Sequence, residues 1–361
     1  MRLTRLTVRG VRNLADETLE LPAAGAVLLG ANGQGKTSLL EAMAFPVLFR
    51  SFRTAMDAEV VRFGEPGFHI GVAFEDGARA RTVAATFRLL GRRKQIEVDG
   101  VPTRRLVDAA GAWLAVVFAP EDVQLAAGAA TGRRLYLDRT LALADPRYLA
   151  TLARYRSALA QRNAALRQGR ADLAAAFDLP LADAGAAVVS RRLAWVQAAG
   201  EQFTTGLVAL GEQSGEATLG YHGAVELADP AAWGERLVQA APRDLARRAT
   251  TVGPHRDDLD LRLGGRLLRD YGSTGQQRTA AVALKLLELD TIERATGRCP
   301  ALLLDDVFAE LDPERQARLA ARLFGGRSAQ VFITAPRPDE LPRGLALPVW
   351  RVSRGQCQPG D

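Results

Sequence analysis

Cysteine, histidine and lysine are all scarce in this chain of 361 residues, at two, three and three copies. Two cysteines, Cys299 and Cys357, cannot build a disulfide framework, so a reducing compartment such as the cytoplasm is expected. His69, His222 and His255 are too scattered in the sequence to suggest a metal cluster. No uninterrupted apolar run approaches the ~20 residues a membrane-spanning helix needs. Met1-Arg2-Leu3-Thr4-Arg5 has no apolar signal core behind it. No repeat is visible, and no low-complexity stretch beyond general alanine richness. What remains is the balance of a soluble globular protein, 48% hydrophobic and 24% charged. At ~150 residues per domain the length suggests about two domains, enough to bury a core without staples.

The net charge is +6, a mild tilt toward an anionic partner. Residues 101–170 hold eleven arginines against five acids, an excess equal to the whole net charge. Arg133, Arg134, Arg139, Arg147, Arg154, Arg156, Arg162, Arg167 and Arg170 are candidates for phosphate contacts; solvated helix faces are the other reading of them. No recognition-helix motif argues for base-specific readout. Because arginine is the default cation, each lysine (Lys36, Lys94, Lys285) raises the question of why arginine was not used there.

Hydropathy patterning divides the chain into three stretches. Leu3, Leu6 and Val8 fall among polar residues as in a half-buried strand, and Ala26–Leu29 reads as a short buried strand. That strand runs into Gly30-Ala31-Asn32-Gly33-Gln34-Gly35-Lys36-Thr37 and then a helical stretch from Ser38 to about Phe45. Short β-leaning segments follow to Phe118, with turns at Asp76-Gly77 and Asp99-Gly100. From Pro146 to about Gln168 the pattern is helical. A second helix after Asp178-Leu179-Pro180 has apolar residues at Gly185, Val189, Leu193, Val196, Gly200, Phe203, Leu207 and Leu210, steps of three and four that make a packing seam. These two helices form an antiparallel arm ~30–45 Å long at ~1.5 Å per residue. Strand character returns around 245–270, with a hairpin turn at Gly264-Gly265. A helix from Thr274 to about Arg294 precedes the buried strand Ala301–Leu304, which ends in Asp305-Asp306. Asp312 is placed to cap a helix opened by Pro313 and stopped by Gly325-Gly326, and Val331-Phe332-Ile333 is a further strand.

Gly30 to Thr37 matches G-x-x-x-x-G-K-[ST], a pattern this composition would produce by chance only about 0.002 times in the chain. It sits between a strand and a helix, where converging backbone N–H groups and the helix N-terminus attract phosphate. Lys36 would reach the β- and γ-phosphates and Thr37 would hold Mg²⁺. A compact ammonium fits among phosphate oxygens where a planar guanidinium does not. At the end of the apolar strand, Asp305 can bind Mg²⁺ through water and Asp306 can polarise an attacking water. Lys36 and Asp305 are 269 residues apart, so something is inserted into the nucleotide fold.

Just before the acidic strand, Tyr271-Gly272-Ser273-Thr274-Gly275-Gln276-Gln277-Arg278 opens a helix. Here the chain resembles the ABC/SMC class of ATPases, whose signature is a serine and a glycine-glutamine at a helix start. Within that class the match narrows to the RecF family. It rests on the Gly30–Gly33 loop with Glu41-Ala42, Ser51-Phe52-Arg53, Phe118-Ala119-Pro120-Glu121-Asp122, Arg133-Arg134 before Leu137-Asp138, Gly253-Pro254-His255-Arg256-Asp257-Asp258, Gly275-Gln276-Gln277-Arg278 and Leu304-Asp305-Asp306-Val307.

The resemblance implies an α/β ATPase head of ABC/SMC type, split in sequence into 1–118 and 246–361 around a mostly helical lobe and arm at 119–245. ATP and Mg²⁺ are the implied cofactors. Ser273, Gly275 and Gln276 would act across an ATP-dependent homodimer on the triphosphate held by the other copy, and Asp306 would be the catalytic acid, with Lys36. Ala309-Glu310-Leu311-Asp312 resembles the class's D-loop, and Thr334 stands where many members have a switch histidine. Gln124 is a candidate lobe-linking glutamine near the metal, and Arg12 is placed close to the nucleotide. The resemblance further implies a weak, DNA-stimulated ATPase that binds duplex DNA near single-strand gaps and works with RecR and RecO to load RecA, with a link to the SOS response. Three other readings fit less well. A transporter's ATP-binding subunit would carry the histidine and a shorter span between motifs, a purely structural SMC-like tether would need far longer coiled coils, and a helicase would need a second motor core.

Overall fold

The computed structural model describes residues 1–212, 215–309, 311–325, 329–342 and 344–360. The chain packs as two compact units, one made of Met1–Glu121 with Glu288–Asp361 and the other of Asp122–Leu287. The first is built on two six-stranded sheets.

One sheet is antiparallel, in the order Glu17–Glu20, Arg2–Arg9, Gly67–Asp76, Arg79–Arg88, Arg93–Val98, Val101–Thr103. Its core face follows the period of two that a half-buried strand imposes: Phe68, Ile70, Val72 and Phe74 are buried in turn. Leu3 and Leu6 are three apart yet both buried, because the register with Gly67–Asp76 shifts between Leu3 and Arg5. The extra residue at that bulge restores the phase.

The other sheet, in the order Gln356–Pro359, Val349–Ser353, Gly25–Leu29, Val331–Ala335, Ala301–Leu304, Ala115–Phe118, is parallel except for its edge hairpin. Its central strands are buried along nearly their whole length and apolar except for Thr334, as parallel strands covered on both faces are. The helix Lys36–Leu48 packs on strands of both sheets. It shows no polar stripe because every residue in it except Thr37 and Leu48 is buried.

The second unit is mainly helical. Helices Pro146–Arg167 and Asp178–Ala209 lie side by side. Arg162 pairs with Asp178, Arg154 with Asp183, and Arg192 reaches Tyr148, so the two run antiparallel. At 22 and 32 residues they are ~33 and ~48 Å long. Val189, Val196, Phe203 and Leu207 of the seam are buried. Gly185 is small for a reason of space, since a Cβ there would meet the Trp233 ring at 2.4 Å. The longer helix is flanked by the strand Ala217–His222 and the helix Ala231–Arg247.

The return to the first unit comes at Glu288 rather than at 246. The stretch between stays with the helical unit because Asp258–Leu263 pairs along its length with Ala217–His222. Arg133 also makes a two-pronged ion pair with Asp258.

Candidate nucleotide site

The strand Gly25–Leu29 delivers the chain into the loop at 30–35, and the helix Lys36–Leu48 leaves it. Gly33 and Gly35 have φ of 77° and 111°, a region only glycine enters without strain. That conformation turns successive N–H groups inward. The loop is braced from outside by the C-terminal hairpin. The Gln34 side chain accepts from the Arg354 amide at 2.7 Å, and its carbonyl accepts from Gly355 at 2.9 Å. The Gln34 side-chain oxygen and carbonyl are thus both turned to the hairpin. Asn13 closes the other side, donating to the Gly33 carbonyl at 2.8 Å and accepting from Ser38 at 3.0 Å. Lys36 is buried, and its ammonium donates to the Gly30 and Ala31 carbonyls at 2.6 and 3.2 Å. It is thereby held against the loop's own backbone, at the wall of the adjoining pocket.

Thr37, the next residue, donates its hydroxyl to Asp305 at 2.9 Å. Asp305 also receives Thr334 Oγ1 at 2.8 Å, and the same oxygen lies 3.0 Å from Asp306 and accepts from the Asp306 amide at 2.9 Å. One hydroxyl proton serves two carboxylates here. Asp306 is held at φ 47°, an uncommon conformation for a residue with a side chain, of the kind found at functional turns. Burial pushes the Asp305 carboxyl up to about 6; the two threonine hydroxyls hold it down, while Asp306 and Glu121 push it further up. A buried, hydroxyl-lined carboxylate with a raised pKa suits a cation, which would supply the charge the site lacks.

These residues open on a pocket of about 600 Å³, lined by Arg12, Asn13, Asn32, Gly33, Lys36, Thr37, Arg53 and Asp306 at its polar side and, as its only apolar side chains among the described residues, by Val61 and Phe63. Phe63 is fully exposed. The two arginines are held by Glu41, which is wholly buried one helical turn beyond Thr37. Arg12 grips it in two places, at 2.8 and 2.9 Å, Arg53 reaches it at 3.4 Å, and Ser51 donates to it. The two quoted segments Glu41-Ala42 and Ser51-Phe52-Arg53 therefore meet in one cluster. Val61 and Phe63 carry no motif, and only an exposed aromatic between turn residues could have flagged them.

The signature belongs to the other unit. Ser273 and Gln276 cap each other: the Ser273 amide donates to the Gln276 side chain at 2.9 Å, and the Gln276 amide to Ser273 Oγ at 3.2 Å, the reciprocal box that opens many helices. Gln277 ties the turn to the Leu268 carbonyl at 2.9 Å. Ser273 is exposed and Gly275 partly so, which leaves the turn accessible. Gln124 starts the short helix Gln124–Ala127 in the same unit.

The arginine expectation needs correction. Arg133 and Arg162 are buried, the first on Asp258 and the second between Asp244 and Asp178, so neither can meet a phosphate. Arg147, Arg154, Arg156 and Arg170 are exposed and paired with acids. His255 is a satisfied histidine: its ring nitrogens meet Tyr155 Oη at 2.6 Å and the Thr250 carbonyl at 2.9 Å, and burial lowers its pKa. Glu310 and Gly326 lie outside the described residues. Among the described residues no cluster of three or more His, Cys, Asp or Glu could hold a metal, and no helix is long and apolar enough to cross a membrane.

Residues 2–346 match the family described as RecF/RecN/SMC N terminal domain. The DNA replication and repair protein RecF of Geobacter sulfurreducens is 37% identical over 99% of this chain and all of its own length. That of Anaeromyxobacter dehalogenans is 39% identical over 99% of both. Among solved structures, the recombination mediator protein RecF with ATP superposes with a TM-score of 0.91 at 29% identity, covering 100% of this chain and 98% of the other. An SMC head bound to the C-winged helix domain of ScpA shares the fold, with a TM-score of 0.58 at 13% identity.

Proposed function

The chain belongs to the RecF family of DNA replication and repair proteins, and from that membership we propose an ATP-switched DNA clamp. The observation that carries it is the unbroken hydrogen-bonded line Thr37–Asp305–Thr334–Asp306 beside the glycine loop. The loop amides of Gly30–Gly35 and the Lys36 ammonium hold the triphosphate, with Arg12 and Arg53 at its flank. Val61 and Phe63 offer an apolar surface on which a base could stack. Mg²⁺ on Thr37 and Asp305 would offset phosphate charge. Asp306 orients the attacking water. Its side chain is a carbon shorter than glutamate, which suits slow turnover and a timer rather than a motor.

Ser273, Gly275 and Gln276 of one protomer reach the triphosphate held by the other, so ATP binds the closed dimer better than the open protomer and shifts the population toward it. The closed pair holds duplex DNA near single-strand gaps, stimulates its own hydrolysis there, and cooperates with RecO and RecR in loading RecA and in the SOS response. Hydrolysis reopens it.

Mass and DNA binding measured with ATP, ADP and no nucleotide test this directly. ATP alone should yield dimers and tight duplex binding. Ser273→Arg should still bind ATP yet stay a protomer, and Lys36→Arg should lose hydrolysis. Dimers unchanged in Ser273→Arg would refute the shared site, and normal turnover in Lys36→Arg would refute the phosphate-loop assignment.

A further inference from the structure

Between Asp76 and Glu97 the chain runs for twenty residues with six basic side chains and no acid, a denser excess than in the inserted lobe. Structure neutralises part of it. Arg81 pairs with Asp99 at 2.9 Å, and Lys94 with Asp57 at 2.6 Å. Arg88, Arg92 and Arg93 are exposed and make no ion pair among the described residues.

Three local choices in this turn run against stability. Arg88 stands directly opposite Arg93 in the strand register, so two like charges share one face at the ~5 Å spacing of cross-strand neighbours. Arg92 adopts φ 46° after Gly91 at 74°, although a side chain disfavours that conformation. Between them, at the tip, Leu89 and Leu90 are 41% and 92% exposed, so Leu90 stands almost wholly in solvent. A foldable sequence tolerates such conflicts where a site requires them.

We propose that the turn Arg88–Arg93 is a duplex DNA contact, in which Arg88 and Arg93 straddle backbone phosphates and Leu89-Leu90 lie against sugar and base edges. The assignment rests on the reading that this chain binds DNA. Three cations without local counter-charge match a polyanion, and apolar tips beside arginines are how several proteins enter a minor groove. Two leucines are too little apolar surface to anchor on a bilayer alone. The turn joins two interior strands of its sheet, so it presents no strand edge for an extended peptide to extend.

The test measures duplex affinity with ATP as a function of salt for the parent chain and for the triple variant Arg88→Ala, Arg92→Gly, Arg93→Ala. Each lost phosphate contact should flatten the slope of log K against log salt by about 0.9. The triple variant should therefore lose 2–3 in slope and roughly tenfold to a hundredfold in affinity near 0.1 M salt. Its melting temperature should not fall, since the like-charge opposition is gone. Leu89→Ser with Leu90→Ser should weaken binding with the slope kept. Equal slope and affinity in parent and triple variant would overturn the proposal while leaving DNA binding intact. So would loss only of binding to phosphatidylglycerol vesicles. A parent chain that does not bind duplex at all would instead overturn the DNA-binding reading beneath it.

Discussion

Replacing Asp305 by asparagine should stabilise the metal-free protein while abolishing hydrolysis. The Asp305 side chain is buried at the end of the strand Ala301–Leu304, and its carboxyl is pushed up to about 6 from 3.8. A folded pKa above the unfolded one means the native state keeps its proton over a range in which the unfolded chain has lost it. Stability contributed by this group is therefore full below pH 3.8, falls as pH rises through the window to 6, and stays low above it. The whole loss is about 3 kcal/mol. Asparagine has nearly the same shape, accepts from the same hydroxyls and cannot ionise. At pH 4 the two proteins should melt close together. At pH 7.5, in EDTA, the variant should melt ~6–12 °C higher. Adding Mg²⁺ and a non-hydrolysable ATP analogue should raise the parent and not the variant. Parallel pH profiles for the two proteins would show that Asp305 is not a destabilised carboxylate and would remove the argument that this site awaits a cation.

Two further substitutions test separate parts of the structure. Arg162→Ala leaves Asp244 buried without its cation, which should cost ~3–5 kcal/mol in urea denaturation; the salt slope of DNA binding in the surviving folded protein should not move. Phe63→Ala should raise the Kd for ATP by about tenfold, in line with ~1–3 kcal/mol for base–aromatic stacking, and leave the affinity for tripolyphosphate unchanged in a competition assay; equal losses for both ligands would place Phe63 away from the base.

The parts of the site legible in the sequence were those fixed by neighbours along the chain. A glycine at φ 111°, a lysine beside it and a threonine after it (Gly35, Lys36, Thr37) are specified by local geometry, so a short pattern identifies them. The cap at Asp312, followed by proline, was equally plain and formed as the spacing predicts, with a hydrogen bond from the Arg315 amide; Asp145 caps the helix opened by Pro146 in the same way, accepting from the Arg147 amide. What escaped was set by distant partners. Arg133 reads like any other cation in a basic stretch, and only its acid 125 residues away makes it core. The boundary at 246 missed for the same reason, because the pairing of Asp258–Leu263 with Ala217–His222 has no short-range signature. The C-terminal hairpin carries no motif, yet its Arg354 and Gly355 amides fix Gln34 from across the sequence.

The three lysines show what the choice between the two cations means here. Lys36 and Lys285 are buried, and Lys94 is threaded between the Asp57 carboxylate and the Phe49 carbonyl with its ammonium 5.5 Å from the Phe45 ring. Lys36 and Lys285 occupy confined places and the Lys94 ammonium is tethered at both sides, settings where a compact charge with rotatable donors can be accommodated and a planar fork needs a matching plane. The buried Arg133 and the half-buried Arg12 have that plane, each set two-pronged on a carboxylate. At Lys36 the partners are the Gly30 and Ala31 carbonyls, which converge on a point and offer no such plane. The loop is thus shaped for a charge that can turn from its own carbonyls to an incoming phosphate without moving its backbone, and an arginine there would have to displace the loop that gives the site its amides.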